Sequence, residues 1–216
     1  MNASTQRLTV AGPVGDLECA LDHPTGLDPA ARRGLALICH PHPQFGGTMD
    51  NKVVQTLART FVSLGYSSLR FNFRGIGASA GAWDEGRGEI DDAVAALQAV
   101  RAEGQAVVVA GFSFGGYVAS QVAARLTGGA AAQRVVLIAP AVVNFTVAPV
   151  PADTLVVHGE LDDVVPLQAT FDWARPQSLP VTVLPGAGHF FHGQLPVLKH
   201  IVASAWAAQA PANTLA

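Results

Sequence analysis

The stretch "VVVAGFSFGGYVAS", residues 107–120, places Ser113 among three glycines, between an apolar run and a helix-like pattern. The apolar residues before Gly111 predict a buried strand, and the residues after Gly115 predict a helix. Glycine is favoured where the backbone takes a positive φ or where another segment comes too close for a Cβ atom. The stretch therefore predicts a tight strand-to-helix turn that carries Ser113.

The rest of the chain alternates strands and helices around this turn. Such near-continuous apolar strands, separated by helices, are typical of a mostly parallel sheet covered on both faces. We expect one α/β domain over residues 1–216, with about eight strands. Strands are predicted at 7–12 and 17–22 (a hairpin), 34–40, 66–73, 106–112, 134–140, 154–159 and 180–186. Helices are predicted at 50–64, around 90–100, at 114–126, 167–175 and 192–209, and residues 210–216 are expected to fray.

Composition argues against several classes of function. The net charge is −3 and only 13% of residues are charged, with no basic stripe of the kind that nucleic-acid binders show. The apolar runs have the length of strands, so no membrane-spanning helix and no membrane partner are predicted. The N-terminus lacks an apolar run of signal-peptide length, which favours a cytoplasmic location. Cys19 and Cys39 lack metal-binding spacing and are expected to be free thiols.

Ser113 is the candidate nucleophile. In open parallel sheets, sites lie in the crevice beyond the carboxyl ends of the strands, and Ser113 follows such a strand. The segment from Gly111 to Gly115 fits G-x-S-x-G, the nucleophile elbow. This turn projects the serine Oγ into the crevice, and it aims the backbone N–H of Phe114 toward a developing oxyanion.

A serine hydroxyl is a weak nucleophile, so it needs a base, and the base needs an orienting acid. In this type of site the acid and then the histidine follow the serine along the chain. His189 is favoured as the base because it follows the last strand in the flexible turn "PGAGHFF". Three other downstream histidines are better explained as turn, helix-start and helix-surface residues: His158, His192 and His200. The acid is one of three carboxylates after the seventh strand, and spacing alone does not choose among Glu160, Asp162 and Asp163.

The motifs "GFSFGG", "HGELDDVVP" and "GAGHFF" together resemble the α/β-hydrolase superfamily. The segments "HPHPQFGGTMDNKV" and "FNFRGIGASAG" look more specifically like small bacterial serine hydrolases, close to the dienelactone hydrolases. The resemblance runs from about residue 8 to residue 206 and implies the α/β-hydrolase fold, with Asp162 as the acid. True dienelactone hydrolases carry a reactive cysteine where this chain has Ser113, so that particular reaction is disfavoured.

The second oxyanion donor is expected in the loop after the third strand. Pro41 and Pro43 have no backbone N–H, which leaves His42 or Gln44. The position of the donor in the family matches His42. His40 and His42 could instead form a metal pair, but no third ligand lies nearby in sequence, so no metal and no cofactor are predicted.

The substrate is expected to be a small-molecule ester. Residues 140–153 are too few for the lid domain that larger relatives insert there, so the site should be open. An apolar rim is predicted from Phe45, Val143, Phe145 and Phe190, although these could equally be ordinary core residues. The predicted function is a carboxylesterase for small or short-chain esters that works through an acyl-enzyme. A thioesterase, lactonase or peptidase using the same residues, and a non-catalytic binding protein of this fold, remain alternatives.

Overall fold

The computed structural model describes residues 5–207, and their strands form one eight-stranded sheet. The strands are β1 (Gln6–Gly12), β2 (Gly15–Asp22), β3 (Gly34–Cys39), β4 (Tyr66–Phe71), β5 (Val107–Phe112), β6 (Arg134–Ile138), β7 (Leu155–Gly159) and β8 (Val181–Leu184). The α-helices are α1 (Lys52–Ser63), α2 (Arg87–Val100), α3 (Phe114–Arg125), α4 (Leu167–Ala174) and α5 (Leu195–Ala207).

The strands lie in the order β1-β2-β4-β3-β5-β6-β7-β8. The β1–β2 hairpin and the β2–β4 pair are antiparallel, and every other pair is parallel. Because β3 and β5 are neighbours, with Cys39 opposite Gly111, the loops that follow them meet at the same edge. The predicted mostly parallel sheet of about eight strands is confirmed.

Helices cover both faces of the sheet. Helices α2, α3 and α4 pack over one apolar layer, and α1 and α5 pack over the other. Helix α1 shows why these segments are helical: Val53, Leu57 and Phe61 recur at helical spacing and are fully buried. The side chain of Asn51 caps this helix by accepting a hydrogen bond from the N–H of Val53 at 2.9 Å.

The last helix begins later than the sequence predicted. It starts at Leu195 rather than at residue 192, because Phe191 and Gly193 both take positive φ values, of 52° and 74°. The N–H of Gln194 donates to the carbonyl of Phe191 and closes this turn. The predicted helix end at residue 209 and the predicted fraying of 210–216 lie outside the described residues.

The edge of the sheet that carries the candidate site is open. Residues 139–154, which connect β6 to β7, form turns and contain neither a helix nor a strand. The connection therefore supplies no helix or strand that could form a lid over the site. Between residues 5 and 207, no helix combines the length and the apolar character that are needed to cross a bilayer.

Candidate active site

Ser113 lies at the predicted turn between β5 and α3 in a strained backbone conformation, with φ 55° and ψ −119°. The neighbouring glycines make this turn possible. A Cβ atom on Gly111 would overlap the carbonyl group of Gly115, and one on Gly115 would overlap the carbonyl of Cys39. A conformation of this kind costs on the order of 1–3 kcal/mol and persists only where its surroundings enforce it.

The loops after β7 and β8 bring two further side chains to Ser113. The Oγ of Ser113 lies 3.0 Å from Nε2 of His189, and Nδ1 of His189 lies 2.7 Å from Oδ2 of Asp162. An ionised carboxylate can only accept, so Nδ1 carries the proton and Nε2 is free to accept from the serine hydroxyl. All three side chains are buried. The arrangement can activate Ser113 as a nucleophile by removing its proton.

Asp162 is fixed by its own loop as well as by His189. Its Oδ1 accepts hydrogen bonds from the N–H groups of Val164 at 3.0 Å and Val165 at 2.7 Å. Burial acts to raise the pKa of Asp162, but the hydrogen bonds from His189 and Val165 outweigh burial and lower the pKa below its usual value. Asp162 is therefore held as a carboxylate.

The two other carboxylates of this loop do not reach His189. Glu160 is exposed and accepts a hydrogen bond from the N–H of Gly186 at 2.8 Å, and Asp163 is exposed. The structure thus brings together with Ser113 and His189 the carboxylate that the family resemblance implied, Asp162, and leaves the other two at the surface.

His158 is buried beside Asp162, a contact that the sequence did not predict. Its Nε2 donates to the carbonyl of Val165 at 2.8 Å and lies 3.3 Å from Oδ2 of Asp162. The hydroxyl of Thr170 donates to its Nδ1 at 3.2 Å. Burial lowers the pKa of His158, and the neutral ring supports the turn, as its place before Gly159 suggested. His192 and His200 are exposed.

The two segments predicted to supply oxyanion donors contain backbone N–H groups without partners among the described residues. Phe114 is the first residue of α3, so its N–H has no partner within the helix. The N–H of Gln44 donates to Nδ1 of His42 at 3.3 Å and is already engaged. The N–H of His42, by contrast, has no hydrogen-bond partner among residues 5–207. Of the two predicted loop donors, only His42 therefore has an available N–H.

A cavity of about 420 Å³ opens beside Ser113 and His189. Phe45 and Phe190 line it, as predicted, and both are exposed at its mouth. Sequence reasoning missed several lining residues, because only the folded loop after β3, the start of α1 and the turn after Asp162 bring them together. Among residues 5–207, the lining is Pro41, His42, Phe45, Gly46, Gly47, Asn51, Ser113, Val164, His189 and Phe190.

Val143 and Phe145, the other two predicted rim residues, lie elsewhere. The ring of Phe145 stacks on Tyr117 with centroids 4.9 Å apart and packs against Phe114 at 5.0 Å. Val143 lines a separate shallow depression with Trp173. Neither residue lines the cavity next to Ser113, but the ring of Phe145 also lies 5.9 Å from the ring of His42, which does line it.

Comparison with known proteins assigns the chain to a family. Residues 31–151 match the family described as serine aminopeptidase, S33. The chain belongs to this hydrolase family. A relative from Rickettsia prowazekii, described as an uncharacterized protein, is 35% identical over 173 residues, which cover 73% of this chain and 71% of the relative.

Solved structures agree with this assignment. An α/β serine hydrolase without a lid, from Xanthomonas campestris, is 37% identical, with a TM-score of 0.85 and 98% of each chain covered. An α/β serine hydrolase homologue from Coxiella burnetii is 35% identical, with a TM-score of 0.83, covering 94% of this chain and 98% of that one. The resemblance to small lidless α/β serine hydrolases is confirmed.

His40 and Arg74 of this hydrolase have structural roles beside the site. Burial lowers the pKa of His40 to about 3, and both of its ring nitrogens are engaged, by the carbonyl of Pro41 at 2.7 Å and the N–H of Phe73 at 3.1 Å. It is therefore not available to a metal. Arg74 is buried and binds both carboxylate oxygens of Asp92, which ties the loop after β4 to α2.

Proposed function

We propose that this hydrolase is a carboxylesterase that acts on small, uncharged esters. The observation that carries the proposal is the line of hydrogen bonds from Asp162 through His189 to Ser113. It ends at a cavity in which none of the lining residues between positions 5 and 207 is Asp, Glu, Lys or Arg. Its volume of about 420 Å³ lies within the range of roughly 300–1,000 Å³ that is typical of small-molecule sites.

The proposed reaction is acyl transfer to water. The Oγ of Ser113 attacks the ester carbonyl as Nε2 of His189 takes its proton, and His189 then returns the proton to the departing alcohol. Asp162 keeps the imidazole in the required tautomer and stabilises the imidazolium. The N–H groups of Phe114 and His42 bind the oxyanion. Water, activated by His189, then releases the acid from the acyl-enzyme, so these side chains need no cofactor.

The apolar part of the substrate is proposed to lie between Phe45 and Phe190, with Val164 beside them. All three side chains line the cavity and are partly open to solvent, so their burial by a ligand is favourable. Val143 and Phe145 have no binding role in this proposal. The open mouth favours short-chain esters in free solution, and the expected location remains the cytoplasm.

The family description raises a second candidate, an aminopeptidase. Such an enzyme must bind a free N-terminal ammonium next to the scissile bond, and a buried ammonium needs an anionic partner. None of the ten residues that line the cavity is Asp or Glu. An uncharged ester therefore fits the cavity better than a peptide N-terminus does.

Hydrolysis of p-nitrophenyl acetate, butyrate, octanoate and palmitate, with L-leucine p-nitroanilide in parallel, tests the proposal. We expect activity on the short esters that disappears in Ser113→Ala, and no release from the anilide. Anilide hydrolysis that exceeds ester hydrolysis would favour the aminopeptidase. Failure of the folded protein to react with a fluorophosphonate probe would refute a serine hydrolase mechanism and favour a binding protein.

A further inference from the structure

Asn51 is a polar side chain in the cavity with hydrogen-bonding capacity that the protein does not use. Its Oδ1 accepts from the N–H of Val53 at 2.9 Å, and this bond fixes which way the amide is turned. The Nδ2 amide nitrogen carries two N–H donors, and neither has a partner in the described part of the chain. Asn51 therefore presents a neutral donor at the wall of the cavity.

Two of the other polar side chains of the cavity, Ser113 and His189, bind each other. Nδ1 of His42 accepts from the N–H of Gln44, so the neutral ring carries its hydrogen on Nε2. Most of the remaining lining is apolar: Pro41, Phe45, Val164 and Phe190, together with two glycines. A ligand oxygen that entered this cavity would therefore find free side-chain donors at Asn51 and at Nε2 of His42, and replacement of Asn51 distinguishes the two.

Helix capping alone does not require asparagine at this position. Serine and aspartate cap helices about as well, because each supplies the same acceptor oxygen. What asparagine adds, compared with aspartate, is the pair of N–H donors. The N-terminus of α1 also carries a partial positive charge, which favours an electron-rich oxygen beside it.

We propose that Asn51 selects substrates that carry a second, uncharged oxygen acceptor, such as a ketone carbonyl, away from the ester that Ser113 attacks. This inference rests on the proposed esterase function and narrows it to a substrate class. A neutral oxygen fits better than a carboxylate because neither lysine nor arginine lines the cavity. The oxygen accepts from Nδ2 of Asn51, while Phe45 and Phe190 enclose the intervening carbons.

Matched esters provide the test. The value of kcat/KM is measured for p-nitrophenyl hexanoate and for its 3-oxo, 4-oxo and 5-oxo derivatives. A second series places a ketone on the leaving alcohol instead, because the cavity is lined by His189 as well as by the loop after β3. For wild type we expect one ketone position to be preferred over the plain ester by about three- to tenfold, the worth of one neutral hydrogen bond.

Asn51→Asp removes the donor and keeps the helix cap. An ionised aspartate retains an acceptor for the N–H of Val53 but has no hydrogen to donate, so the variant should abolish the ketone preference. Gln55→Glu is the matched control, because it makes the same amide-to-carboxylate change on α1. The Nε2 of Gln55 donates to the carbonyl of Asp50, and Gln55 does not line the cavity, so the ketone preference should survive.

A wild-type enzyme without ketone preference in either series, or a preference that persists in Asn51→Asp, overturns the inference. A measurement without turnover separates this failure from failure of the esterase proposal. In Ser113→Ala, the side-chain amide signals of Asn51 in a ¹⁵N–¹H spectrum should shift when ethyl 5-oxohexanoate is added, and should shift less with ethyl hexanoate. Equal responses to the two esters would refute the role of Asn51 even if the protein hydrolyses neither.

Discussion

Replacement of Asp162 by asparagine should stop the reaction, because it moves the proton of His189 from Nδ1 to Nε2. The Oδ1 of Asp162 accepts two backbone N–H groups, from Val164 and Val165, so an asparagine must place its oxygen there. Its NH₂ group then takes the position of Oδ2, 2.7 Å from Nδ1 of His189. An NH₂ group can only donate, so Nδ1 must become the acceptor and the proton moves to Nε2. Nε2 then donates to Ser113 instead of accepting from it.

The expected loss is large and falls on turnover. An amide in place of the orienting acid costs on the order of 10⁴ in kcat in serine hydrolases, which is about 5.4 kcal/mol of transition-state stabilisation. KM should change little, because Asp162 does not line the cavity. The folded protein should persist, since asparagine keeps both hydrogen bonds from the backbone of the loop.

Turnover of p-nitrophenyl butyrate by Asp162→Asn, Asp163→Asn and Glu160→Gln gives the comparison. Asp163 and Glu160 are exposed, and their variants should stay close to wild type. Melting temperatures identify any variant that has lost its fold. The reasoning is refuted if Asp162→Asn retains more than about a tenth of wild-type turnover, or if either of the other variants loses as much as it does.

Two further predictions concern stability. Gly115→Ala should lower the melting temperature by more than about 5 °C and abolish hydrolysis, because the added Cβ overlaps the carbonyl of Cys39. Gly129→Ala is the calorimetric control, because a Cβ at Gly129 meets no other atom of residues 5–207. Equal melting temperatures of the two variants would contradict the steric argument. Burial lowers the pKa of His40 to about 3, so its neutral form stabilises the fold above pH 6.5 and this contribution falls as the pH drops toward 3. Between pH 7 and pH 5 the free energy of unfolding, measured by urea titration, should therefore fall by about 2 kcal/mol through His40. His40→Gln should remove that loss, the exposed His200→Gln should keep it, and an unchanged pH dependence in His40→Gln would refute the assignment.

Features encoded by neighbouring residues could be predicted from the sequence. The strand, the glycines and the helix around Ser113 are all local, and the structure has the predicted tight turn there. The order of apolar strands and helices likewise predicted the sheet. The identity of the acid needed the family resemblance, because Glu160, Asp162 and Asp163 differ only in how the loop after β7 turns.

Contacts between distant segments could not be predicted in this way. Phe145 was predicted at the rim, and the fold stacks its ring on Tyr117 of α3 and sets it beside His42 rather than in the lining itself. Asn51 looked like the start of a helix, and only the fold shows that it also lines the cavity. His158 reaches Asp162 because the turn after β7 folds back on its own strand.

The open edge of the sheet determines how fast a substrate can come and go. Where a lid covers a site, opening and closing take microseconds to milliseconds and can limit turnover. Here the mouth is bordered by single side chains, and Phe45 is 84% exposed. Exposed side chains change rotamer in picoseconds to nanoseconds. We therefore expect exchange of ligands at Ser113 to be set by diffusion and by affinity, and turnover to report on the proposed acyl-transfer steps themselves.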